Sequence, residues 1–176
     1  MTTEQKIFSY CPQCGKENRE DTHVFQCTAC GFVHYFSPKP GTKGIIRTPS
    51  GKIVLTRRNI APYLGTLDLV GGFLEKGETF EEGLLREAEE ELGVSLPIRN
   101  MTYLGSFAKP YEFRNITYHV IVPLFLVDLA EEIDTTLFDK EEIQEVLLMS
   151  PKDIHMEDIG PEDYKVLLLE YLKKYL

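Results

Sequence analysis

The chain has 176 residues, a formal net charge of −9 and 43% hydrophobic residues, enough for one ordinary domain with its own core plus a small attachment. A sequence pI near 5.0 argues against a general polyanion binder, so nucleic acid is not an expected partner, and any phosphate ligand must be held by metal and a few local cations. The longest apolar run, Val120 to Val127, is broken by Pro123 and falls far short of the ~20 residues that span a bilayer. The opening MTTEQKIFSY has no apolar core of signal-peptide length, so the expected location is cytoplasmic.

All four cysteines lie near the start: Cys11, Cys14, Cys27 and Cys30, spaced C-x2-C-x12-C-x2-C. Gly15 and Gly31 each follow the second cysteine of a pair, so each half reads as a tight knuckle around a sulfur. Four thiolates complete a tetrahedron, the closed geometry of structural zinc. Two disulfides are the alternative; they need an oxidising compartment, to which nothing in the sequence points. His23 and His34 are expected to be surface or packing residues. Residues 1–38 carry three basic and four acidic residues, so the expected role of zinc is to let a segment too short for its own core fold, and to dock it on the main domain or on a dimer partner.

Ser37-Pro38-Lys39-Pro40-Gly41 reads as a hinge, placing a zinc ribbon at 1–38 and the main domain at 39–176. Lys43 to Arg47 and Lys52 to Arg57 read as two strands around the Thr48-Pro49-Ser50-Gly51 turn. Arg57 or Arg58 could reach a substrate phosphate; a solvated arginine is the default.

The stretch Gly72 to Val94, GFLEKGETFEEGLLREAEEELGV, organises the rest. Thr79 and Glu82 form a capping box and Gly93 suits C′, which predicts a helix from Phe80 to Leu92. At ~100° per residue, Glu87, Glu90 and Glu91 share one face, while Leu84, Leu85, Ala88 and Leu92 occupy the neighbouring arc. Carboxylates held this close raise one another's pKa unless a cation lies between them, and oxygen-only ligands suit Mg²⁺ or Mn²⁺. A solvated glutamate-rich face is the alternative on carboxylate count alone.

The spacing goes further. Gly72, Glu78, then Arg86-Glu87-Ala88-x-Glu90-Glu91-x-Gly93-Val94 resembles the Nudix box at every defining position. The resemblance implies a hydrolase that cleaves a nucleoside diphosphate linked to another moiety. It implies Glu87, Glu90, Glu91 and the Gly72 carbonyl as metal ligands, with Arg86 and Glu78 as the pair that orients the ligand carboxylates. Ahead of the box, Leu67 and Val70 replace the tryptophan and proline that Nudix proteins often carry.

Met101 to Phe107 and Ile116 to Val127 read as further strands, with Pro123 suggesting a bulge or an edge position. His119 alternates with apolar neighbours and is expected to pack. The intervening Ala108 to Asn115 reads as a loop, in which Tyr111 and Phe113 could stack on a base and Lys109 or Arg114 could contact phosphate; an ordinary hairpin loop with packed aromatics is the equal alternative. Asp128 to Glu145 carries eight acidic residues and one basic one. The Nudix resemblance implies a loop glutamate in this region as further ligand or base, Glu141 or Glu142. A final helix follows, with Pro161 at N1, Glu162 and Asp163 in its first turn, Lys173 and Lys174 in its last, and an apolar stripe of Tyr164, Leu167, Leu168, Tyr171, Leu172 and Tyr175.

The fold class expected is α/β: a mixed sheet covered by helices on both faces, which agrees with the α/β/α sandwich the Nudix resemblance implies, preceded by the ribbon. The expected chemistry is metal-assisted hydrolysis of a diphosphate, with Mg²⁺ or Mn²⁺ as catalytic ion and Zn²⁺ as structural ion. A four-cysteine ribbon ahead of a Nudix domain is similar to the arrangement in NADH pyrophosphatases, which favours NAD(H) or an ADP-ribose-like substrate. Their Ser-Gln-Pro-Trp-Pro-Phe-Pro motif is not matched by Ser106 to Phe113, which leaves other nucleoside-diphosphate sugars and capped RNA ends open. The alternative from another class is a catalytically silent nucleotide sensor whose ribbon contacts protein or nucleic acid.

Overall fold

The structure is a computed structural model and describes residues 8–17, 24–160 and 164–174, together with the backbone of residues 2–3. The strands are β1 (Thr2–Thr3), β2 (Val24–Gln26), β3 (Val33–Tyr35), β4 (Lys39–Pro40), β5 (Lys43–Arg47), β6 (Ile53–Arg58), β7 (Leu67–Asp68), β8 (Met101–Phe113), β9 (Ile116–Asp128) and β10 (Ile143–Met149). The helices are α1 (Phe80–Leu92) and α2 (Lys165–Leu172), with 3-10 turns at Ile98–Asn100 and Pro151–Asp153. The chain forms two compact units, one of residues 1–39 with 108–121 and the other of residues 40–107 with 122–176.

In the second unit the sheet is mixed. β5 runs parallel to β9 from the Lys43–Leu124 pair to the Arg47–Asp128 pair. It is antiparallel to β6 across the Thr48 to Gly51 turn, and β6 is antiparallel to β10 and to the short β7. Successive residues point to opposite faces, and the core divides accordingly. Ile45, Ile53, Leu55 and Leu124 pack with Tyr164, Leu168, Tyr171 and Leu172 of the α2 region. Ile46, Val54, Phe125 and Val127 pack with Leu84, Ala88 and Leu92 of α1. Helices therefore cover both faces of a mixed sheet, the α/β sandwich expected from the sequence. α1 sits close because Gly44 has no side chain: a β-carbon there would stand 3.0 Å from Leu84 Cδ2.

The α1 boundaries are those the capping box and Gly93 predict, and the Lys43–Arg47 strand matches residue for residue. Three expectations differ. The segment from Ala108 is not a loop: β8 continues to Phe113, and Arg114 and Asn115 alone turn the chain, both at positive φ. Pro123 is not at an edge, because β9 lies between β5 and β8; it sits just before the β5 ladder begins at Leu124. His119 lies in β9 but is exposed, alternating with buried Val120. Pro161, Glu162, Asp163 and Tyr175 lie outside the described residues, and α2 is described from Lys165.

In the first unit, β2 and β3 form an antiparallel hairpin behind the cysteines. Phe25, Cys11 and Cys27 are its buried centre, packed by Phe8, Phe32 and Phe36. His34 stacks on Phe8 at 5.1 Å and 9°, a packing role as expected; His23 lies outside the described residues. β1 pairs in parallel with the start of β9 at Ile116 and Thr117.

Candidate active site and cysteine cluster

The turn from β7 into α1 is drawn against β5 by backbone bonds. Gly44 N–H donates to Val70 O and Thr42 N–H to Gly72 O, each at 2.9 Å. Gly71 has φ 125°, and a β-carbon on it would run into the Thr42 carbonyl. On Gly72 a β-carbon would stand 2.5 Å from Glu87 Oε1. Two glycines thus let strand, turn and helix meet with the Glu87 carboxylate against the backbone.

Arg86 ties the helix face together. Its Nε and Nη2 grip Glu78 as a fork, at 2.7 and 3.1 Å. Nη1 donates to Glu87 Oε1 at 3.0 Å and to Glu90 Oε2 at 2.9 Å, and Nη2 also donates to Phe73 O at 2.9 Å. Glu78 accepts in addition from the Glu75 N–H at 2.7 Å. Its pKa is lowered, first by Arg86 and then by that N–H, and the Arg86 pKa is raised, first by Glu78.

Glu91 is one turn on from Glu87. The residue keeps part of its surface exposed, yet its Oε2 is sealed from solvent and has no hydrogen-bond partner. Burial pushes its carboxyl up to about 8; Lys43 opposes this, the Glu87 and Asp68 carboxylates reinforce it, and the Gly71 N–H opposes it. Burial also raises Glu87, against the pull of Arg86. An orphaned buried oxygen beside two further carboxylates fits a hard divalent cation with oxygen ligands. The Gly72 carbonyl already accepts from Thr42, and a carbonyl has a second lone pair.

Beneath this face lies a charged group the sequence reading did not single out. Asp68 is 2% exposed. It accepts from Tyr164 Oη at 2.8 Å, from Leu69 N–H at 2.7 Å and from Arg58 Nη1 at 2.9 Å, and Lys43 Nζ lies 3.1 Å away. Lys43 Nζ also donates to Leu69 O at 2.6 Å. The available signal was a carboxylate inside the apolar run Leu67-Asp68-Leu69-Val70, since a buried aspartate demands partners.

Arg57 is engaged by Glu145 Oε1 at 2.6 Å and Gly65 O at 2.9 Å. Tyr111 and Phe113 belong to the unit of 1–39 and 108–121, and α1 belongs to the unit of 40–107 and 122–176. Glu141 and Glu142 are exposed, and their backbone carbonyls accept from Asn59.

The four cysteine sulfurs lie within 4.8 Å of one another. The Cys11–Cys30 and Cys14–Cys27 separations are both 3.7 Å, far beyond the ~2.05 Å of a disulfide and close to the ~3.8 Å edge of a tetrahedron with ~2.3 Å metal–sulfur bonds. Gly15 and Gly31, at φ 71° and 76°, close each knuckle by donating to Cys11 O and Cys27 O. The Cys30 N–H is the main influence lowering Cys27 to about 7. At Cys30 the Phe32 N–H pulls down, but burial and the neighbouring cysteines win and push it up to about 12. Four crowded thiols do not all ionise without a cation, which fits a metal site.

A family profile described as NUDIX domain matches residues 37–169. The chain is 35% identical over 115 residues to an NAD-capped RNA hydrolase NudC of Haemophilus influenzae, a match covering 62% of this chain and 41% of that protein. It is 37% identical over 95 residues to an ADP-ribose pyrophosphatase of Methanocaldococcus jannaschii, covering 54% and 53%. The chain spans about two fifths of the length of the NudC relatives it matches. Its structure superimposes on a NUDIX hydrolase from Nitrosomonas europaea with a TM-score of 0.64 at 25% identity, covering 94% of this chain and 91% of that one. No helix among the described residues is long and apolar enough to cross a membrane. With the family profile covering 37–169 of its 176 residues, the chain belongs to the NUDIX family.

Proposed function

We propose that this chain hydrolyses the diphosphate bond of a nucleoside diphosphate linked to another moiety, with NAD(H) or an ADP-ribose-like compound as substrate. The observation that carries the reading is the sealed, unpartnered Oε2 of Glu91 on the helix that also carries Glu87 and Glu90, with Glu87 set against the Gly72 backbone. The names of two relatives, an NAD-capped RNA hydrolase and an ADP-ribose pyrophosphatase, support the substrate class.

Glu87, Glu90, Glu91 and the Gly72 carbonyl would hold Mg²⁺ or Mn²⁺. Such an ion, when bound, neutralises charge on diphosphate oxygens and lowers the pKa of a bound water. The chain's own part is positioning. Arg86 pins the Glu87 and Glu90 carboxylates, and Glu78 pins Arg86 as a fork, so the carboxylates do not have to reorganise when substrate arrives. Lys43, held by Asp68 and Leu69 O, supplies a fixed positive charge that opposes the raised pKa of Glu87 and Glu91. The cysteine cluster would hold one Zn²⁺ as a structural ion, with residues 1–38 as the ribbon and 39–176 as the hydrolase domain.

The test incubates the purified chain with Mg²⁺ and a panel of NADH, NAD⁺, ADP-ribose, sugar nucleotides and nucleoside triphosphates, and resolves products by mass, with Glu90→Gln as control. NADH giving AMP and reduced nicotinamide mononucleotide, or ADP-ribose giving AMP and ribose phosphate, supports the reading when the variant gives neither. Nucleotide binding without turnover in Mg²⁺ or Mn²⁺ overturns it in favour of a sensor.

A further inference from the structure

Among the described residues, two buried side-chain oxygens have no hydrogen-bond partner: Glu91 Oε2 and Thr42 Oγ1. Thr42 stands immediately before β5 and is fully buried. Antiparallel bridges join Gly41 to Phe73 and Gly44 to Val70. Thr42 therefore stands opposite Gly72, to whose carbonyl its N–H donates at 2.9 Å. Opposite residues of an antiparallel pair direct their side chains to one face. The face at Gly72 is that of Glu87, whose Oε1 would lie 2.5 Å from a β-carbon there. The pleat agrees. Residues two apart in a strand share a face, and a β-carbon on Gly44 would stand 3.0 Å from Leu84 Cδ2. Leu84, Glu87 and Glu91 form one stripe of α1, three and four residues apart. Thr42 thus faces that stripe where its carboxylates begin.

We propose that Thr42 is a positioning residue of the cation site: its hydroxyl accepts a hydrogen bond from a water of the hydrated Mg²⁺ or Mn²⁺ and donates its own to a carboxylate of the Glu87–Glu91 face. The inference rests on the cation site proposed above. Burying an unpaired hydroxyl is unfavourable, and a valine would fill the same space without that cost. A hydroxyl carries one donor and two acceptor sites, whereas a carboxylate only accepts. Mg²⁺ gives up its waters reluctantly and keeps several when bound by protein. Those waters are donors and need acceptors. The glutamates supply charge to the ion, and Thr42 supplies a neutral acceptor held rigidly by the strand. Partners of this outer kind orient what the ion carries and raise its affinity.

The experiment titrates the full chain, its zinc retained, with Mn²⁺ and reads the free ion by its electron paramagnetic resonance signal. Glu91→Gln defines the site, because the binding it loses is the binding counted. Thr42→Val keeps the shape and removes the hydroxyl, and should raise the Mn²⁺ dissociation constant about tenfold. Thr42→Ser keeps the hydroxyl and should bind as the parent does. Melting curves give a second readout. Without added divalent ion, Thr42→Val should melt no lower than the parent, because it buries no unpaired hydroxyl; with Mn²⁺ it should gain less. Should Thr42→Val fail to fold, Thr42→Ser against Thr42→Ala makes the same comparison, since the two differ only in the hydroxyl. The proposal is overturned if Thr42→Val binds as tightly as the parent, or if Thr42→Ser loses as much as the variant without a hydroxyl, since Thr42 is then a packing residue. Either result leaves the cation site standing. A parent chain that binds no more Mn²⁺ than Glu91→Gln overturns the proposal together with the hydrolase reading.

Discussion

Gly72 and Glu87 stand so close that the smallest side chain at 72 would collide with a carboxylate: its β-carbon would be 2.5 Å from Glu87 Oε1 and 2.7 Å from Cδ. Glu87 has little room to yield, because its Oε1 is held by Arg86 at 3.0 Å and its side chain is largely buried. Gly72→Ala should therefore displace Glu87 and lower kcat/KM roughly hundredfold, the scale of an ångström-sized misplacement. The fold keeps its core, so the thermal midpoint should move by only a few degrees. Steady-state kinetics beside a melting curve checks this, and an unchanged kcat/KM would remove Glu87 from the reacting centre.

Arg86 uses one guanidinium to reach Glu78, Glu87, Glu90 and the Phe73 carbonyl. A lysine has the charge but not the fork, so it cannot serve four acceptors spread over that plane. Arg86→Lys should raise the Mg²⁺ concentration for half-maximal rate by about 10- to 100-fold, the usual cost of losing an outer-shell partner. Glu78→Gln should move the same quantity in the same direction, because it loosens Arg86 and does not alter Glu87, Glu90 or Glu91 directly. Magnesium titration of the initial rate distinguishes both from Glu90→Gln, which should not be rescued by excess metal.

What the sequence disclosed was local. The capping box, the αL glycine and the periodicity of α1 act within a few residues, and the helix came out from Phe80 to Leu92 as those signals indicate. Carboxylates on one helical face are likewise a matter of 3.6-residue geometry. The Asp68 group was not legible, because its partners Lys43, Arg58 and Tyr164 come from distant strands and from the start of the last helix. The extension of β8 through Pro110 was hidden for a different reason. Lys109, Pro110 and Glu112 read as loop residues, and only pairing with β9 makes them a strand. The partner of Arg57 was hidden likewise: the β6–β10 register sets it opposite Glu145, which engages it.

Glu91 links the site to pH. Its folded-state pKa of about 8, against an ordinary 4.5, means that across this window the folded chain holds a proton the unfolded chain releases. The unfolded state then binds fewer protons, so stability falls as pH rises from about 4.5 to about 8 and levels off above. Divalent metal needs the carboxylate, so the stabilisation it adds should grow over the same range. Thermal melts without added divalent ion and with Mg²⁺, run across that window, should diverge as pH rises. Glu91→Gln should flatten the metal-free slope and abolish the metal-induced gain; a slope that survives the substitution would assign it to other groups.

Asp68 and Tyr164 carry the last prediction. Tyr164 is fully buried and its hydroxyl donates to Asp68 Oδ1 at 2.8 Å, while Lys43 and Arg58 converge on the same carboxylate. Tyr164→Phe removes the bond to Asp68 and the 3.2 Å bond accepted from the Leu69 N–H, and leaves Asp68 with its two cations and that same N–H, so it should cost about 1–2 kcal/mol. Asp68→Asn is harsher, because it leaves two cations beside a neutral amide at a nearly sealed site, and should cost about 3–5 kcal/mol. The two residues share one network, so their effects should not add: in Asp68→Asn, the hydroxyl has lost its charged acceptor and removing it should cost less. Urea denaturation of the two single variants and the double variant measures this coupling. Additive costs would mean that the Tyr164 hydroxyl stabilises the fold independently of the Asp68 carboxylate, for instance through the Leu69 N–H it also accepts from, and that the carboxylate does not tie the final helix to the strand leading into Gly71 and Gly72.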